Sequence, residues 1–417
     1  MRKKIFLKGP LLTRSGYGEQ SRFALRALRS REDLFDIYIQ PLQWGQTSWL
    51  NIETEERAWI DQTIEKTIGY IQQGGQFDVS LQITIPNEWE KICPANVGFT
   101  AGIETTKVAS DWLVKGNEMD RIIVVSSHSK QSFENTGYVA TNEQTNEQAT
   151  IKIETPIKVA NYPVKVYDNL PELQMDFDYD FNFLTIAQFS PRKNLLNTIK
   201  WFVEEFKDEE VGLVVKTNIA KNSLIDRLKI FNDLKNFVFQ LGEHKCKVYL
   251  LHGDMSDEEM HSLYRHPKLK GLVALPHGEG FGLPIYEAAY SGMPVVATGW
   301  SGQLDFLVDE KGTEHFYNVA FDMHPVQDEV VWDGVLIKES MWAYPREQSA
   351  KEKMRDCYND IVSDNEESFA LKSCEYAQEI QDRFSNEKMY KNFVDGVLDC
   401  DTANVEAQAE QIVLEFE

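Results

Sequence analysis

Cysteine is scarce in this chain, and what there is lies scattered. Cys93, Cys246, Cys357, Cys374 and Cys400 show no CxxC or metal-finger spacing, and an odd count leaves at least one thiol unpaired. A disulfide scaffold is therefore excluded, and a reducing, cytoplasmic setting is expected. Long apolar runs are also missing. The opening MRKKIFLKGPLLTR is basic, but Lys8, Gly9 and Pro10 break its apolar run and Arg14 follows, so no signal-peptide core is expected. Nowhere does the chain reach the roughly 18 uninterrupted apolar residues of a membrane span. Positive charge is in deficit, with 43 Lys and Arg against 66 Asp and Glu, a net of -23. The whole-molecule field repels phosphate backbones and anionic surfaces, so any polyanionic partner must find a local basic patch. His252, His261, His266 and His277 form no HExxH or similar set, so no metal site is expected.

What is present is an ordinary globular composition, 42% apolar and 26% charged, over 417 residues. That length exceeds one core, and two domains are expected. Short β-branched runs alternate with amphipathic stretches, the pattern of parallel βαβ units. The first half has strands at Lys4–Leu7, Asp78–Ile83, Val97–Thr100 and Arg121–Val125; the second has them at Asn182–Ala187, Val211–Lys216, Lys247–His252, Gly271–Leu275 and Pro294–Thr298. The fold class is α/β, with two Rossmann-like, doubly wound domains. The irregular stretch Asn161–Asp180 is the natural linker, with a boundary near residue 170. The polar segment Thr141–Gln148 reads as a surface loop, and SDEE at Ser256–Glu259 as a capping box. Charge is uneven between the ends: residues 1–31 hold nine Lys or Arg and only Glu19 as an acid, while residues 392–417 hold seven acids and no Lys or Arg.

The most informative stretch is GLVALPHGEGFGLPIYEAAYSGMPVVATGWSG, Gly271–Gly302. It reads as strand, Gly-rich loop, helix, Gly stop and strand, with Pro284 at the first helical position and Gly292 at the stop. Gly278, Gly280 and Gly282 allow close backbone approach, and amides of Phe281, Gly282 and Leu283 at a helix start suit a phosphate. Glu279 and Glu287, separated by seven residues, can face one crevice at the carboxyl end of the strand. A carboxylate accepts hydrogen bonds without donating. Glu287 therefore suits the cis-diol of a ribose, and Glu279 the hydroxyls of a sugar nearer the reacting end. In FLTIAQFSPRKNLL, Phe183–Leu196, a strand leads into Arg192 and Lys193, two cations that could neutralise a diphosphate leaving group. After the first strand, Gly16 and Gly18 with Ser21 form a dinucleotide fingerprint that lacks its third glycine, so close approach of a diphosphate or an acceptor is equally open.

Together, GEGFGLPIYEA, SPRKN and SGYG resemble the retaining glycosyltransferases of family 4, which have the GT-B fold, two Rossmann-like domains facing a central crevice. FTAGIETTKVASDWL at 99–113 and MDRIIVVSSHSKQSF at 119–133 resemble the family's first-domain segments facing sugar and acceptor. The resemblance implies a catalytic group of Glu279, Lys193 and Arg192, with Lys193 on the diphosphate. It implies donor binding by Glu287, Gly280, Phe281, Gly282 and Leu283, with Gly16 and Gly18 added from the first domain. Glu104, His128, Arg14 and Arg22 fall on the acceptor side. The donor would be a nucleotide-diphosphate sugar, with no cofactor and no bound metal. Domains would run 1–170, acceptor side; 171–374, nucleotide-sugar side; and 375–417, a helix within Glu375–Val397 returning to the first domain, followed by an acidic tail. One departure stands out: many members carry an arginine where this chain has Gln188, which leaves more of the work to Arg192 and Lys193.

The expected reaction moves a sugar to an acceptor hydroxyl with retention, on a glycan, lipopolysaccharide or similar molecule. SGYGEQSR and FTAGIETT also resemble a phage or environmental-virus branch, and phage glycosyltransferases often modify hydroxymethylated bases. DNA is therefore the alternative acceptor, reached by base flipping, with Lys3, Lys4, Arg14, Arg22 and Arg26 on its phosphates. A catalytically silent sugar-nucleotide-binding subunit is a third reading. A nicotinamide-dependent dehydrogenase would use SGYGEQS but leave the paired glutamates unexplained.

Overall fold

The computed structural model describes residues 2–45, 47–141, 148–363, 365 and 367–399. Cys400, most of the acidic tail and residues 142–147 of the polar segment lie outside these. The chain divides into two compact units. One is drawn from Met1–Pro163, Gln327–Ser340 and Phe384–Glu417, the other from Val164–Val326 and Met341–Arg383.

In the first unit the elements run β1 (Lys3–Gly9), α1 (Gly16–Arg29), β2 (Phe35–Pro41), α2 (Glu55–Gln72), β3 (Val79–Ile83), β4 (Ala95–Thr100), α3 (Ser110–Gly116), β5 (Arg121–Val124), α4 (Ser127–Glu134), β6 (Gly137–Thr141), β7 (Gln148–Lys152) and β8 (Ile157–Val159). Six strands form one parallel sheet in the order β2-β1-β3-β4-β5-β8, and β6 pairs with β7 as a separate antiparallel ribbon. β2, FDIYIQP, is a strand absent from the sequence expectation. Its apolar residues alternate with Asp36 and Gln40 in part, a weaker signal than the continuous runs of β4 and β5. Hydroxyl caps begin α1, α2 and α4: Ser15 accepts from the Gly18 amide, Thr54 from Arg57 and Ser126 from Ser129.

The second unit continues with β9 (Asn182–Ile186), α5 (Leu195–Glu205), β10 (Gly212–Lys216), α6 (Leu224–Gln240), β11 (Lys247–Leu251), α7 (Asp257–Tyr264), β12 (Leu269–Ala274), α8 (Leu283–Tyr290), β13 (Val295–Thr298), α9 (Leu304–Leu307), β14 (Tyr317–Val319), β15 (Phe321–Pro325), β16 (Met341–Pro345), α10 (Glu347–Val362) and α11 (Phe369–Arg383). Its parallel sheet has the order β11-β10-β9-β12-β13-β14. Phe183, Leu213, Val215, Val273 and Val296 are buried from its strands and pack with Ile199, Phe202 and Phe206 of the α5 region in one core. The capping box of α7 is formed, Ser256 with Glu259.

Arg383 closes the second unit, so residues 375–383 belong to α11, and the next helix, α12 (Asn386–Leu398), belongs to the first. Phe393 of α12 packs against Phe23 of α1 and Phe99 of β4 at ring separations of 5.2 and 5.0 Å, and Asn392 donates to the Val159 carbonyl at 2.9 Å. No described helix is long and apolar enough to cross a membrane.

One feature of the second sheet positions the chemistry. In the second, β9 lies between β10, the next strand in sequence, and β12, which arrives only after a long excursion. Connections leave β9 and β12 in opposite directions, which makes the carboxyl ends of these two strands a topological switch point. That is where open α/β sheets bind ligands.

Candidate functional site

The two loops at this switch point are the ones that carry Arg192, Lys193 and Glu279. β9 ends at Ile186, and Pro191–Lys193 forms a short 3-10 turn before α5. β12 ends at Ala274, and the glycine-rich loop runs to α8. The backbone joins the two loops, since the His277 amide donates to the Arg192 carbonyl at 2.8 Å.

Glu279 is the hub. Its side chain is 9% exposed and accepts from both cations: Arg192 Nη1 lies 3.1 Å from Oε2, and Lys193 Nζ bonds Oε1. Arg192 Nη1 also donates to the Gly278 carbonyl at 2.7 Å. Burial alone would raise the carboxyl's pKa, but Lys193 and Arg192 overcome it and hold the pKa below the ordinary glutamate value. The carboxylate is therefore ionised and sits between two cations. Lys193 and Glu279 both line a small recess of about 20 Å3 with Thr185, Pro276, Pro284 and Ile285.

A network behind the loop fixes Glu279. Its amide donates to Ser301 Oγ at 2.9 Å, and its carbonyl accepts from the Gly302 amide at 3.0 Å. Ser301 Oγ donates to Gln303 Oε1 at 2.9 Å, Gln303 Nε2 to the Thr298 carbonyl at 3.0 Å, and Thr298 Oγ1 to the Pro276 carbonyl at 3.0 Å. Ser301 adopts φ 81°, a left-handed conformation costly for a residue other than glycine and retained where surrounding contacts demand it. Gly302 leaves no alternative, because a Cβ there would sit 2.1 Å from the Gly280 carbonyl oxygen. On the other side, His277 is buried and stacked on Trp342 at 5.0 Å. Its Nδ1 donates to the Ala343 carbonyl at 2.7 Å, while the Ala343 amide bonds its carbonyl. Burial lowers the His277 pKa, so the ring is a neutral strut.

α8 begins at Leu283, with Gly282 as its cap at φ 94°. Pro284 is therefore the second helical residue rather than the first. The consequence is the same, because that amide would lack an intrahelical partner in either place. Gly280, Phe281 and Gly282 lie in the loop that leads into this turn. Glu287 lies farther along α8 and accepts a 2.9 Å hydrogen bond from Tyr264 Oη of α7. Burial, reinforced by Glu287, raises the Tyr264 pKa well above its usual value, so the phenol remains a donor. Gln188 donates to the Ile219 carbonyl at 2.7 Å. Lys216, at the end of β10, donates to the Gly253 carbonyl at 3.0 Å, and burial lowers its pKa.

The remaining sequence candidates lie in the first unit. Gly18 is packed so closely on the Thr13 carbonyl that a Cβ would stand 2.1 Å from it, whereas Gly16 opens α1 with nothing within 4 Å of its Cβ position. Tyr17, between them, packs against Trp44 with ring centroids 4.3 Å apart and tilted by 36°, and bonds Thr100 Oγ1 at 2.7 Å. Glu104 is half-buried in the loop after β4. That loop is tied to α4 by Ser129 Oγ donating to the Ala101 carbonyl and Ser132 Oγ to the Thr105 carbonyl. Burial lowers the His128 pKa to about 4 against an opposing hydrogen bond with the Ile103 backbone, so it is neutral near pH 7. Arg22 is buried. Nη1 donates to the Leu11 and Thr13 carbonyls, both at 2.9 Å, and Nη2 to Glu19 at 3.0 Å, so it braces the turn after β1. Arg26 is held by Glu56 and Glu19, Lys4 by Tyr70 Oη, and the Arg14 amide donates to the Ser48 carbonyl.

Sequence reasoning missed the framework: Ser301, Gln303, His277 and Tyr264. VVATGWSG was visible as a strand and turn, but a serine at positive φ has no sequence signature. His277, Tyr264 and Trp342 meet their partners only through tertiary contacts.

Residues 178–319 match the model of the glycosyl transferases group 1 family, a span that contains every residue of the Glu279 cluster. The serotype-specific mannosyltransferase WbdA of Escherichia coli is 30% identical over 118 residues, 28% of this chain. This chain spans only 13% of that relative's length. Among solved structures, Anabaena Alr3699/HepE in complex with UDP and glucose aligns over 95% of this chain and 100% of its own, with a TM-score of 0.58 and 13% identity. Sucrose-phosphate synthase from Thermosynechococcus elongatus aligns over 100% of both chains, with a TM-score of 0.58 and 12% identity. The fold is GT-B, two parallel-sheet Rossmann-like domains.

Proposed function

We propose that this chain is a retaining glycosyltransferase of the family 4 type, moving a hexosyl or pentosyl group from a nucleotide-diphosphate sugar to an acceptor hydroxyl. The observation that carries the reading is the gathering of Arg192 and Lys193 on the buried Glu279 carboxylate at the switch point of the second sheet. As the bond between the anomeric carbon and the diphosphate oxygen breaks, negative charge grows on the leaving group. Two cations already placed in a partly buried site stabilise that charge without reorganising. Glu279 keeps them fixed before the donor arrives and offers its carboxylate to the sugar end. Glu287 holds the ribose, with Tyr264 setting its orientation. The reading gives leaving-group charge to protein cations and asks for no divalent ion, so a chelator leaves the rate unchanged.

A glycan, lipopolysaccharide or similar molecule is the preferred acceptor. The name of the mannosyltransferase relative supports a glycan and puts mannose in the donor panel. Hydroxymethylated DNA is the weaker choice, because Lys4, Arg22 and Arg26 are engaged by Tyr70, Glu19, Glu56 and backbone carbonyls. The proposed setting is the cytoplasm, which the free thiols of Cys93, Cys246, Cys357 and Cys374 support. The test is incubation with a panel of nucleotide sugars and with glycans or hydroxymethylated DNA. Mass spectrometry reads the product and proton NMR its anomer. Transfer with retention to glycan supports the proposal; inversion overturns the mechanism, and donor binding without turnover points to a silent subunit.

A further inference from the structure

α6 presents a second apolar face that the second unit does not use. Its inward residues are Asp226, Ile230 and Leu234, and the Asp226 carboxylate accepts from the amides of Ile219, Ala220 and Lys221. Outward stand Leu224 (69% exposed), Ile225 (81%), Leu228 (54%), Phe231 (49%) and Phe239 (84%). Positions 224, 228, 231, 235 and 239 follow the spacing of one helical face, and Ile225 adjoins it. Five large apolar side chains on one exposed helix face are more than scattered surface residues need.

Charge identifies what covers the face. The chain carries -23 overall, yet the exposed charges of α6 are Arg227, Lys229 and Lys235 against Asp233 alone. Arg227 and Lys229 flank the stripe on its two sides. Lys235 lies within it, its Nζ 6.0 Å from the Phe231 ring centroid, where a long stem can lie on apolar surface and carry its ammonium outward. Leu, Ile and Phe between basic residues form the pattern of a helix that lies in a bilayer interface, its apolar face among acyl chains and its cations at anionic headgroups. We propose that α6 docks this chain peripherally on an anionic lipid surface. The general repulsion set by the net charge makes such a local basic, apolar patch the place where docking can occur.

Co-sedimentation of the full chain with vesicles tests this, using phosphatidylcholine alone and phosphatidylcholine mixed with phosphatidylglycerol. Binding to the mixed vesicles is expected to exceed binding to the neutral ones by at least about tenfold and to weaken with salt. The doubles Leu228→Glu/Phe239→Glu and Lys229→Glu/Lys235→Glu each lower it by about tenfold or more, with unchanged circular dichroism because all four side chains are exposed. Absence of vesicle binding, equal binding to both compositions, or wild-type binding by either double variant overturns the proposal. So does a lipid-free dimer that Leu228→Glu/Phe239→Glu dissociates, since the face would then join two copies of the chain.

Discussion

The two sheets are both six-stranded and parallel, with strand orders β2-β1-β3-β4-β5-β8 and β11-β10-β9-β12-β13-β14, and they differ in what stands at their carboxyl edges. In the second unit the loops after β9 and β12 bring two cations and a carboxylate together, backed by neutral groups that lock the backbone. In the first, the helices that follow β1 and β5 carry Tyr17 on Thr100, a neutral His128 and serines bonded to the carbonyls of the loop after β4. Its buried arginine, Arg22, lies on carbonyls and Glu19 as a brace. The contrast teaches that a buried ion cluster is read by what surrounds it. Arg22 serves as a brace, whereas Arg192 and Lys193 gather on Glu279 at the point where an open sheet receives ligands, and Lys193 and Glu279 line a recess there.

The sharpest way to break this comparison is to remove the charge. Lys193→Ala is expected to lower the single-turnover transfer rate by about 100-fold or more, because charge on the leaving group is greatest in the transition state. A rise in KM alone would make Lys193 a ground-state contact. Glu287→Ala should weaken nucleoside diphosphate binding by about 1.5 to 3 kcal/mol in calorimetry, the scale of losing a charged acceptor. Unchanged affinity would remove α8 from the donor site. Arg22→Ala should cost about 1 to 3 kcal/mol of stability in denaturant unfolding, since it strands the Leu11 and Thr13 carbonyls, and leave diphosphate affinity untouched. Lost affinity with intact stability would erase the distinction between brace and site.

Two smaller effects lie in the pH dependence of stability. Glu279 has a folded pKa below its ordinary 4.5, so its contribution is complete above that value and is lost as pH falls through the folded pKa. Glu279→Gln should flatten the acid limb of Tm against pH while transfer falls and nucleotide affinity holds. His128, lowered from 6.5 to about 4, binds protons more readily when unfolded, so its contribution is present above 6.5 and is lost as pH falls toward 4. His128→Asn should remove that decline, and an imidazole NMR titration near 6.5 in the native protein would refute the burial argument.

Much of this was legible in the chain because it depends on local pattern. Most parallel strands of both units announce themselves as β-branched runs, though β2, β8 and β14 do not, and GEGFGLPIYE marks a loop entering a helix. Glu279, Arg192 and Lys193 could be named before their contacts were known. That they bind one another follows only from β9 and β12 being neighbours, which requires the strand order. Arg22 reads as an acceptor-side cation because it belongs to the basic opening of the chain and brackets the SGYG segment with Arg14, and burial against carbonyls 9 and 11 residues away leaves no trace in such a pattern. Ser301 and His277 escaped for the same reason: their importance lies in a left-handed backbone and a stacked ring, both products of tertiary packing.

In the proposed reading, Arg192 and Lys193, gathered by Glu279, form the diphosphate receptor. Calorimetry of a nucleoside diphosphate against its monophosphate tests it most directly, on the wild type and on Arg192→Ala/Lys193→Ala. The wild type is expected to prefer the diphosphate by about tenfold or more, and the double variant to lose that preference while still binding the monophosphate. A diphosphate preference that survives the double substitution would contradict the account.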